Sequence, residues 1–425
     1  VPSPNVSVVL LNFNGRAHLA EALSSLAEDG WPRPDVEVVV ADNGSTDGSE
    51  EMVRANFPAA IFAPSGRNLG FAGGVRFGVE RSRGGILVFL NNDARVERGW
   101  LDALVSALEG APDEVAAVVG RLTSWGGDRV DYRDTLLTFD GHAFQRDFGR
   151  PLAAVADDPP GSERLAPCGG NMAIRRESFL DAGGFDEDFF AYLEDVDLGL
   201  RLRARGSRIV YEPRAVARHH SGATGEALGL YNRGFLIEKN ALAVVWKNWD
   251  DEAFRAFLPA VLATLVHRTT RLVRERAEGG ERIAVDPYRE PNLPGEDPTE
   301  RRGRSAEPVS GLRRRLLRLV ARLLGLPPAA AAPESMAVRL DPHSLCQMRA
   351  LHRFFADLPR LEEKRRKNLA LARVPTREIF ARWPPAVVPT YPGDEEFFGT
   401  AAFRRLLPDG WPLESRPLGE VMELG

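Results

Sequence analysis

Short apolar runs that end in polar residues alternate with helix-period segments over the first 120 positions of the chain. VSVVLL, VEVVV and GILVFL are almost unbroken apolar strings, the signature of strands buried on both faces rather than of strands with one wet face. Between them the spacing predicts helices near 16–28 and 47–55, and a further run, AAIFA, leads to a glycine-rich helix start at GRNLGFAGGV. Strand and helix repeated in this order predict an α/β fold with a doubly wound, mostly parallel sheet. Ligands of such sheets bind beyond the carboxyl ends of the strands. The residues that close the runs are therefore the first candidates: Asn12, Asn14, Asp42 and Asp93.

After residue 120 the pattern changes. TSWGGDRVDYRD and the stretch to Pro160 mix turn residues with short alternating segments, as loops and edge strands do. APCGGNMAIRR predicts a tight turn and a short strand, and GGFDEDFF leads into an acidic helix that stops at Gly206, the position where a left-handed cap is expected. SRIVYEP and AVARHH read as two final short strands. Beyond residue 225 the periodicity is helical, which divides the chain into a sheet-based domain over 1–245 and a helical C-terminal region over 246–425. A charged stretch rich in Pro and Gly at 277–310 reads as a flexible linker. In the segment that follows, 312–324, Leu312, Leu316, Leu319, Val320 and Leu323 share one helical face, with Arg315, Arg318 and Arg322 opposite.

Composition narrows the classes of function. The 425 residues, 44% of them hydrophobic, suffice for a large core, and the formal net charge of −5 creates no field that would hold nucleic acid. Two cysteines, Cys168 and Cys346, are too few for a disulfide framework or a cysteine metal site, which fits a reducing, cytoplasmic setting. VSVVLLNFNG reads as a strand rather than a secretory leader. AFLPAVLATLV at 256–266 is too short to cross about 30 Å of hydrocarbon. Any membrane contact is expected to be peripheral, at the inner face, through the Arg-rich helix at 312–324; packing of that helix on the rest of the protein is the plainer alternative.

The chemistry sits at the strand ends and at the acidic helix. FFAYLEDVDLGLRLRARG places Glu194, Asp195 and Asp197 within one helix start. Carboxylates suit that end of the dipole, yet three so close repel one another. Such a cluster makes sense where a carboxylate must be oriented at the edge of a pocket, as a general base is. The dipole favours an ionised Asp195 while Glu194 opposes it, and the two effects pull its pKa in opposite directions. Asp42 opens DNGSTDGS, a tight turn before a helix start, and a carboxylate there can accept the ring N–H of uracil or thymine. In RNLGFAGG, Gly70, Gly73 and Gly74 permit either close approach of an anion to the helix start or close packing of the helix on the sheet. Asp93, directly after an apolar run, suits a hard cation, because an ion bridging two phosphates needs only one or two protein carboxylates. His219 is a candidate further ligand.

Six segments in this order and spacing, VSVVLLNFNG, VVVADNGSTDGS, RNLGFAGG, FLNNDARVERGWL, GGFDEDFFAYLEDVDLGLRLRARG and ARHHSGAT, resemble the inverting family 2 glycosyltransferases, in particular their rhamnosyltransferase-like branch. The resemblance spans about residues 5–245. It implies a GT-A fold (the Rossmann-like nucleotide-diphospho-sugar transferase architecture) followed here by a helical extension. It also implies a dTDP- or UDP-linked sugar donor, with rhamnose as the branch-level expectation, a divalent cation (Mg2+ or Mn2+), and a glycan or lipid-linked acceptor hydroxyl. The setting implied is polysaccharide biosynthesis for the cell envelope.

Carried onto this sequence, the resemblance makes Asp42 the contact to the base, with Asn12 and Asn14 lining the nucleotide pocket and Asn68, Gly70 and Asn92 on the donor side. Asp93 matches the last acid of the D-x-D motif, His219 a histidine near the metal, and Asp195 the second acid of the E-D pair and hence the base, supported by Glu194. Cys168, Gly169, Gly170 and Asp197 fall on the acceptor side. Lys239 and Asn240 in LIEKNAL match a basic-Asn pair that follows the catalytic domain. This chain departs from the pattern at Asn91, where the first D-x-D acid often stands, at Arg76, where Asn is commoner, and at Cys168. A non-catalytic nucleotide-sugar-binding scaffold and a membrane-surface adaptor are the alternatives from other classes of function.

Overall fold

The computed structural model of the protein describes residues 4–220, 223–270, 272–276, 336–340 and 342–423. Its first half is built from β1 (Val6–Asn12), α1 (Arg16–Glu28), β2 (Val36–Asp42), α2 (Ser49–Asn56), β3 (Ile61–Pro64), α3 (Gly70–Val79) and β4 (Ile86–Asn91). The four strands lie in the order β3-β2-β1-β4, all parallel, as the near-continuous apolar runs predict. Val8, Leu10, Val38, Val40, Val88 and Leu90 are buried between the helices on the two faces. Each such side chain contributes about 1.5–3 kcal/mol on leaving water. The strand order reverses between β1 and β4, the place where sheets of this kind take a ligand beyond the strand ends.

The other half of the sheet is antiparallel in most of its pairings. It comprises β5 (Ala94–Val96), α4 (Trp100–Glu109), β6 (Val115–Ser124), β7 (Val130–Tyr132), β10 (Asn171–Arg175), α5 (Arg176–Asp181), α6 (Glu194–Ala204) and β11 (Arg208–His219), with a separate hairpin of β8 (Thr135–Leu137) and β9 (Ala143–Gln145). β10 runs antiparallel to both β4 and β6, whereas β11 is parallel to β6 and antiparallel to β5. Antiparallel neighbours need no crossover helix, which is why the turn-rich stretch after residue 120 shows no strand-helix alternation. The two final short strands expected near 208–219 are one strand, kinked by a register shift between Glu212 and Val216. Pro213 falls in that shift, where a missing N–H costs nothing.

A second core lies beside the sheet. Phe139, Leu165 and Leu200 pack there with Val244 of α7 (Ala223–Asn248), Phe257 of α8 (Asp251–Thr269) and Trp249 between the two helices, and with Phe380 and Phe403 further on. The expected division at residue 245 falls inside α7. β12 (Leu272–Arg276) and β13 (Met336–Leu340) pair antiparallel, and α9 (Pro342–Leu371) packs on α7 and α8. The expected linker at 277–310 and the Arg-rich segment at 312–324 lie outside the described residues. Among the described residues no helix is long and apolar enough to cross a membrane.

Candidate active site

The strand ends at the reversal between β1 and β4 carry hydrogen-bonded amides. Asn12 lies opposite Asp42 in the β1–β2 register and donates through Nδ2 to Asp42 Oδ1 at 2.9 Å and to Ser45 Oγ at 3.1 Å. Ser45 Oγ donates to the same carboxylate oxygen at 2.5 Å, while the N–H groups of Gly44 and Ser45 reach Oδ2 at 3.1 and 2.9 Å. All four acceptor positions of Asp42 are thereby filled from within its own turn and from Asn12. Asn14, at φ +50°, receives the next part of the turn, its Oδ1 accepting from Thr46 N at 2.8 Å. From just beyond the end of β4, Asn92 Nδ2 donates to Asn12 Oδ1 at 3.0 Å. Asn68 Oδ1 caps Gly70 N at 2.8 Å and accepts from Asn43 Nδ2 at 3.3 Å, so Asn43 joins the β2 turn to the start of α3.

Next to Asn92 the structure brings together three residues far apart in sequence. Asp93 Oδ1 lies 3.1 Å from His219 Nε2, and His219 Nδ1 lies 3.1 Å from Asp131 Oδ2. β5 and the end of β11 make this meeting possible, since Ala94 pairs with His219 and His220 N donates to Asp93 O at 3.0 Å. Burial opposes charge on the imidazole, but the hydrogen bonds to Asp131 and Asp93 prevail and hold its pKa up at about 10. Burial likewise opposes ionisation of Asp93, yet the bond from His219 keeps it below the ordinary carboxylate value. Two ligands about 2.1 Å from one octahedral ion stand about 3.0 Å apart. The separation of Asp93 Oδ1 and His219 Nε2 therefore fits a shared divalent ion once Nε2 has given up its proton.

The acidic helix approaches the same rim through Gly169 and Gly170. Gly170 O accepts from Asn91 N at 3.3 Å, and Gly169 N donates to Asp195 Oδ2 at 3.3 Å. Val196 N supplies a second donor to Asp195 at 2.8 Å. Burial raises the pKa of Asp195 and these two N–H groups oppose the rise. Glu194 is more deeply buried, its Oε2 has no hydrogen-bond partner, and burial followed by the charge of Asp195 drives its pKa well up. Of the two acids, Asp195 is the one that N–H groups of other residues favour as an anion, since Gly169 N and Val196 N both donate to it, whereas Glu194 Oε2 is buried without a partner. The turn before α6 is unusual: Phe190, Tyr192 and Leu193 all have positive φ, each costing on the order of 1–3 kcal/mol outside glycine. Gly70 must be glycine to meet this turn, for its φ is +73° and a Cβ there would fall 2.5 Å from Phe190 O.

The sequence of this domain matches the family model described as Glycosyl transferase family 2 over residues 7–182. It is 32% identical over 238 residues to the N-acetylglucosaminyl-diphospho-decaprenol L-rhamnosyltransferase of Mycobacterium tuberculosis, an alignment covering 50% of this chain and 75% of that one. The chain belongs to glycosyl transferase family 2. A second relative, the O-antigen biosynthesis protein RfbC of Myxococcus xanthus, is 30% identical over 234 residues, 53% of this chain and 18% of the relative. Among solved structures, GalNAc-T7 with UDP, GalNAc and Mn2+ aligns with a TM-score of 0.48 at 19% identity, over 62% of this chain and 52% of that chain. The mannosyltransferase PcManGT of Pyrobaculum calidifontis, with GDP-Man and Mn2+, aligns at 0.42 and 17% identity, over 84% and 88%. The mixed sheet, parallel over β3-β2-β1-β4 and joined by antiparallel β10, is the GT-A fold, and this chain is a glycosyltransferase.

Within this family 2 domain the predicted residues do not all meet. Asn12, Asn14, Asp42 and Asn92 share one bonded network, Asn68 and Gly70 border it, and Asp93 and His219 lie beside it. Cys168 is buried, and its thiol pKa is pushed well up by burial and then by the charge of Asp195. Asp197 goes elsewhere: fully buried, it binds Arg201 at 2.7 Å, Lys247 at 2.8 Å and Asn248 at 2.9 Å, and so ties α6 to α7. A position one turn along α6 from Leu193 points to the second core rather than to the rim, which sequence proximity to Asp195 conceals. Asp131 and Asn43 were not foreseen. The signal for Asp131 was a carboxylate between two apolar residues of the short run VDY, a placement that demands a buried partner.

Proposed function

We propose that this glycosyltransferase carries out a single in-line displacement with inversion, moving a sugar from a dTDP- or UDP-linked donor to the hydroxyl of a glycan or lipid-linked acceptor. Asp195 takes the proton from the acceptor hydroxyl as its oxygen attacks the anomeric carbon and the bond to the nucleoside diphosphate breaks. Gly169 N and Val196 N orient the carboxylate, and Glu194, holding its own proton, adds no second charge beside it. A positioned base contributes about 10²- to 10⁴-fold. Asp93 and His219 hold a divalent cation, Mg2+ or Mn2+, which when bound offsets charge on the leaving diphosphate.

Asn12, Asn14 and Asn92 bound the nucleotide site, with Asn68 and Gly70 at its edge. Asp42 meets the ring N–H of the base only if Ser45 Oγ turns away, because its acceptor positions are otherwise filled. Rhamnose as donor sugar, and an acceptor carried on a polyprenyl diphosphate, are supported by the likeness to the rhamnosyltransferase of Mycobacterium tuberculosis. The reading is carried by one observation: Gly169 and Gly170 bond Asp195 on one side and Asn91, two residues before Asp93, on the other.

The test is transfer by purified protein from dTDP- and UDP-sugars to a polyprenyl-diphosphate-linked N-acetylglucosamine, with the anomeric configuration of the product read by NMR. Inverted product from the wild type and none from Asp195→Asn, which still binds nucleotide, is the expected result. Retained configuration, or equal turnover by the variant, would remove Asp195 from the role.

A further inference from the structure

We propose that Lys239 and Asn240 of α7 are positioning residues for Asp195, holding the turn in front of it in a backbone conformation that the turn would not keep by itself. The inference rests on the reading of Asp195 as the base. Phe190, at φ +63° and ψ −62°, is the centre of a γ-turn of the strained hand, closed by Ala191 N donating to Phe189 O at 2.8 Å. Tyr192 and Leu193 follow at φ +71° and +65°, and Glu194 and Asp195 then open α6. None of the three residues with positive φ is glycine, so the surroundings must impose the conformation.

The carbonyls of the turn show what imposes it. Asn240 Nδ2 lies 3.0 Å from Phe189 O, 2.8 Å from Ala191 O and 2.7 Å from Tyr192 O. Lys239 Nζ donates to Asp188 O. Phe190 O accepts from Ala72 N of α3 at 3.1 Å, and Leu193 O from Asp197 N at 2.9 Å. Each carbonyl from 188 to 193 is thus met by a donor, and two adjacent side chains of α7 serve four of the six. Both side chains are buried, so these bonds do not compete with bulk water. The same turn touches the start of α3 through Ala72 and Gly70. A single carboxamide in the helix after the sheet therefore fixes where the base stands relative to the donor side.

A general scaffold role and a positioning role differ in what they move. Asn240→Asp keeps the shape but turns a carboxylate oxygen toward three carbonyl oxygens. The expected result is a fall in kcat of about 100-fold, the scale of a misplacement near 1 Å, with the Kd of UDP and dTDP measured by calorimetry within twofold of wild type. Asn240→Gln, which keeps the N–H donors on a longer arm, should recover at least part of that loss. Hydrogen exchange should quicken in peptides covering 188–197 and stay unchanged in β1 and β2. Should Asn240→Asp fail to fold, Lys239→Met, which removes one contact, should give the same pattern at smaller amplitude. Unchanged kcat together with unchanged exchange at 188–197 would overturn the proposal. If instead wild type and Asp195→Asn turn over alike, the assignment of the base fails, and the exchange measurement still decides whether α7 holds the turn.

Discussion

Two turns border the site, and they are held in opposite ways. The turn after β2 is nearly self-sufficient: Asp42 accepts from the N–H groups two and three residues ahead and from the hydroxyl of Ser45, with Asn12 of the adjacent strand completing the set. The turn before α6 contains three non-glycine residues at positive φ, and its carbonyls are met by α7 from 51 positions away, by α3 and by its own helix. A nucleotide is recognised by a fixed shape, which local bonds supply cheaply. A base must stand within hydrogen-bond reach of a group on a second substrate, and that placement is set by packing between distant elements. The donor side should therefore tolerate damage to the base side, and the reverse.

The largest loss is expected at Asp195. Asn at this position should lower kcat by about 10³-fold or more while the affinity for UDP or dTDP holds; a matching loss of nucleotide binding would show that the two sides are not separable. Next in size is Asp93→Ala, expected to cut turnover by about 10²-fold and to make the remaining rate indifferent to EDTA. A variant that chelator still inhibits would place the cation elsewhere.

Glu194→Gln probes the acid pair with a smaller effect. The folded pKa of Glu194 is raised, so the stability linked to it is full below the ordinary carboxylate range and is lost as pH rises through the folded value. Glutamine has no proton to lose, so the variant should gain stability over wild type as pH is raised, read as a difference in Tm that widens from acidic to neutral pH. A gap that shrinks with rising pH would contradict the assignment of the proton to Glu194. In parallel, the acid limb of kcat/KM in wild type should lie above the usual aspartate value, since burial raises Asp195. The smallest effect belongs to Ser45→Ala, which removes one of four bonds to Asp42. About 1 kcal/mol of stability should be lost, with kcat unchanged and nucleotide affinity altered in whichever direction freeing Asp42 favours. Loss of kcat there would couple the turns after all.

Much of the proposed donor side could be placed directly from the chain. Apolar runs without alternation fixed the parallel half of the sheet, and the polar residues ending those runs, Asn12, Asp42 and Asp93, lie where strands of that kind present their ends to a ligand. Those signals are local, because side-chain period, turn chemistry and strand ends are properties of a few consecutive residues. Tertiary structure alone decided the partners. Asp131 reaching His219, Asn240 reaching the turn at 189–192, and Asp197 turning from the rim to Lys247 all join residues far apart in sequence, by hydrogen bonds whose strength comes from burial. At Asp195 it is likewise the tertiary structure that brings Gly169 N to the carboxylate beside Val196 N and leaves Glu194 Oε2 buried without a partner.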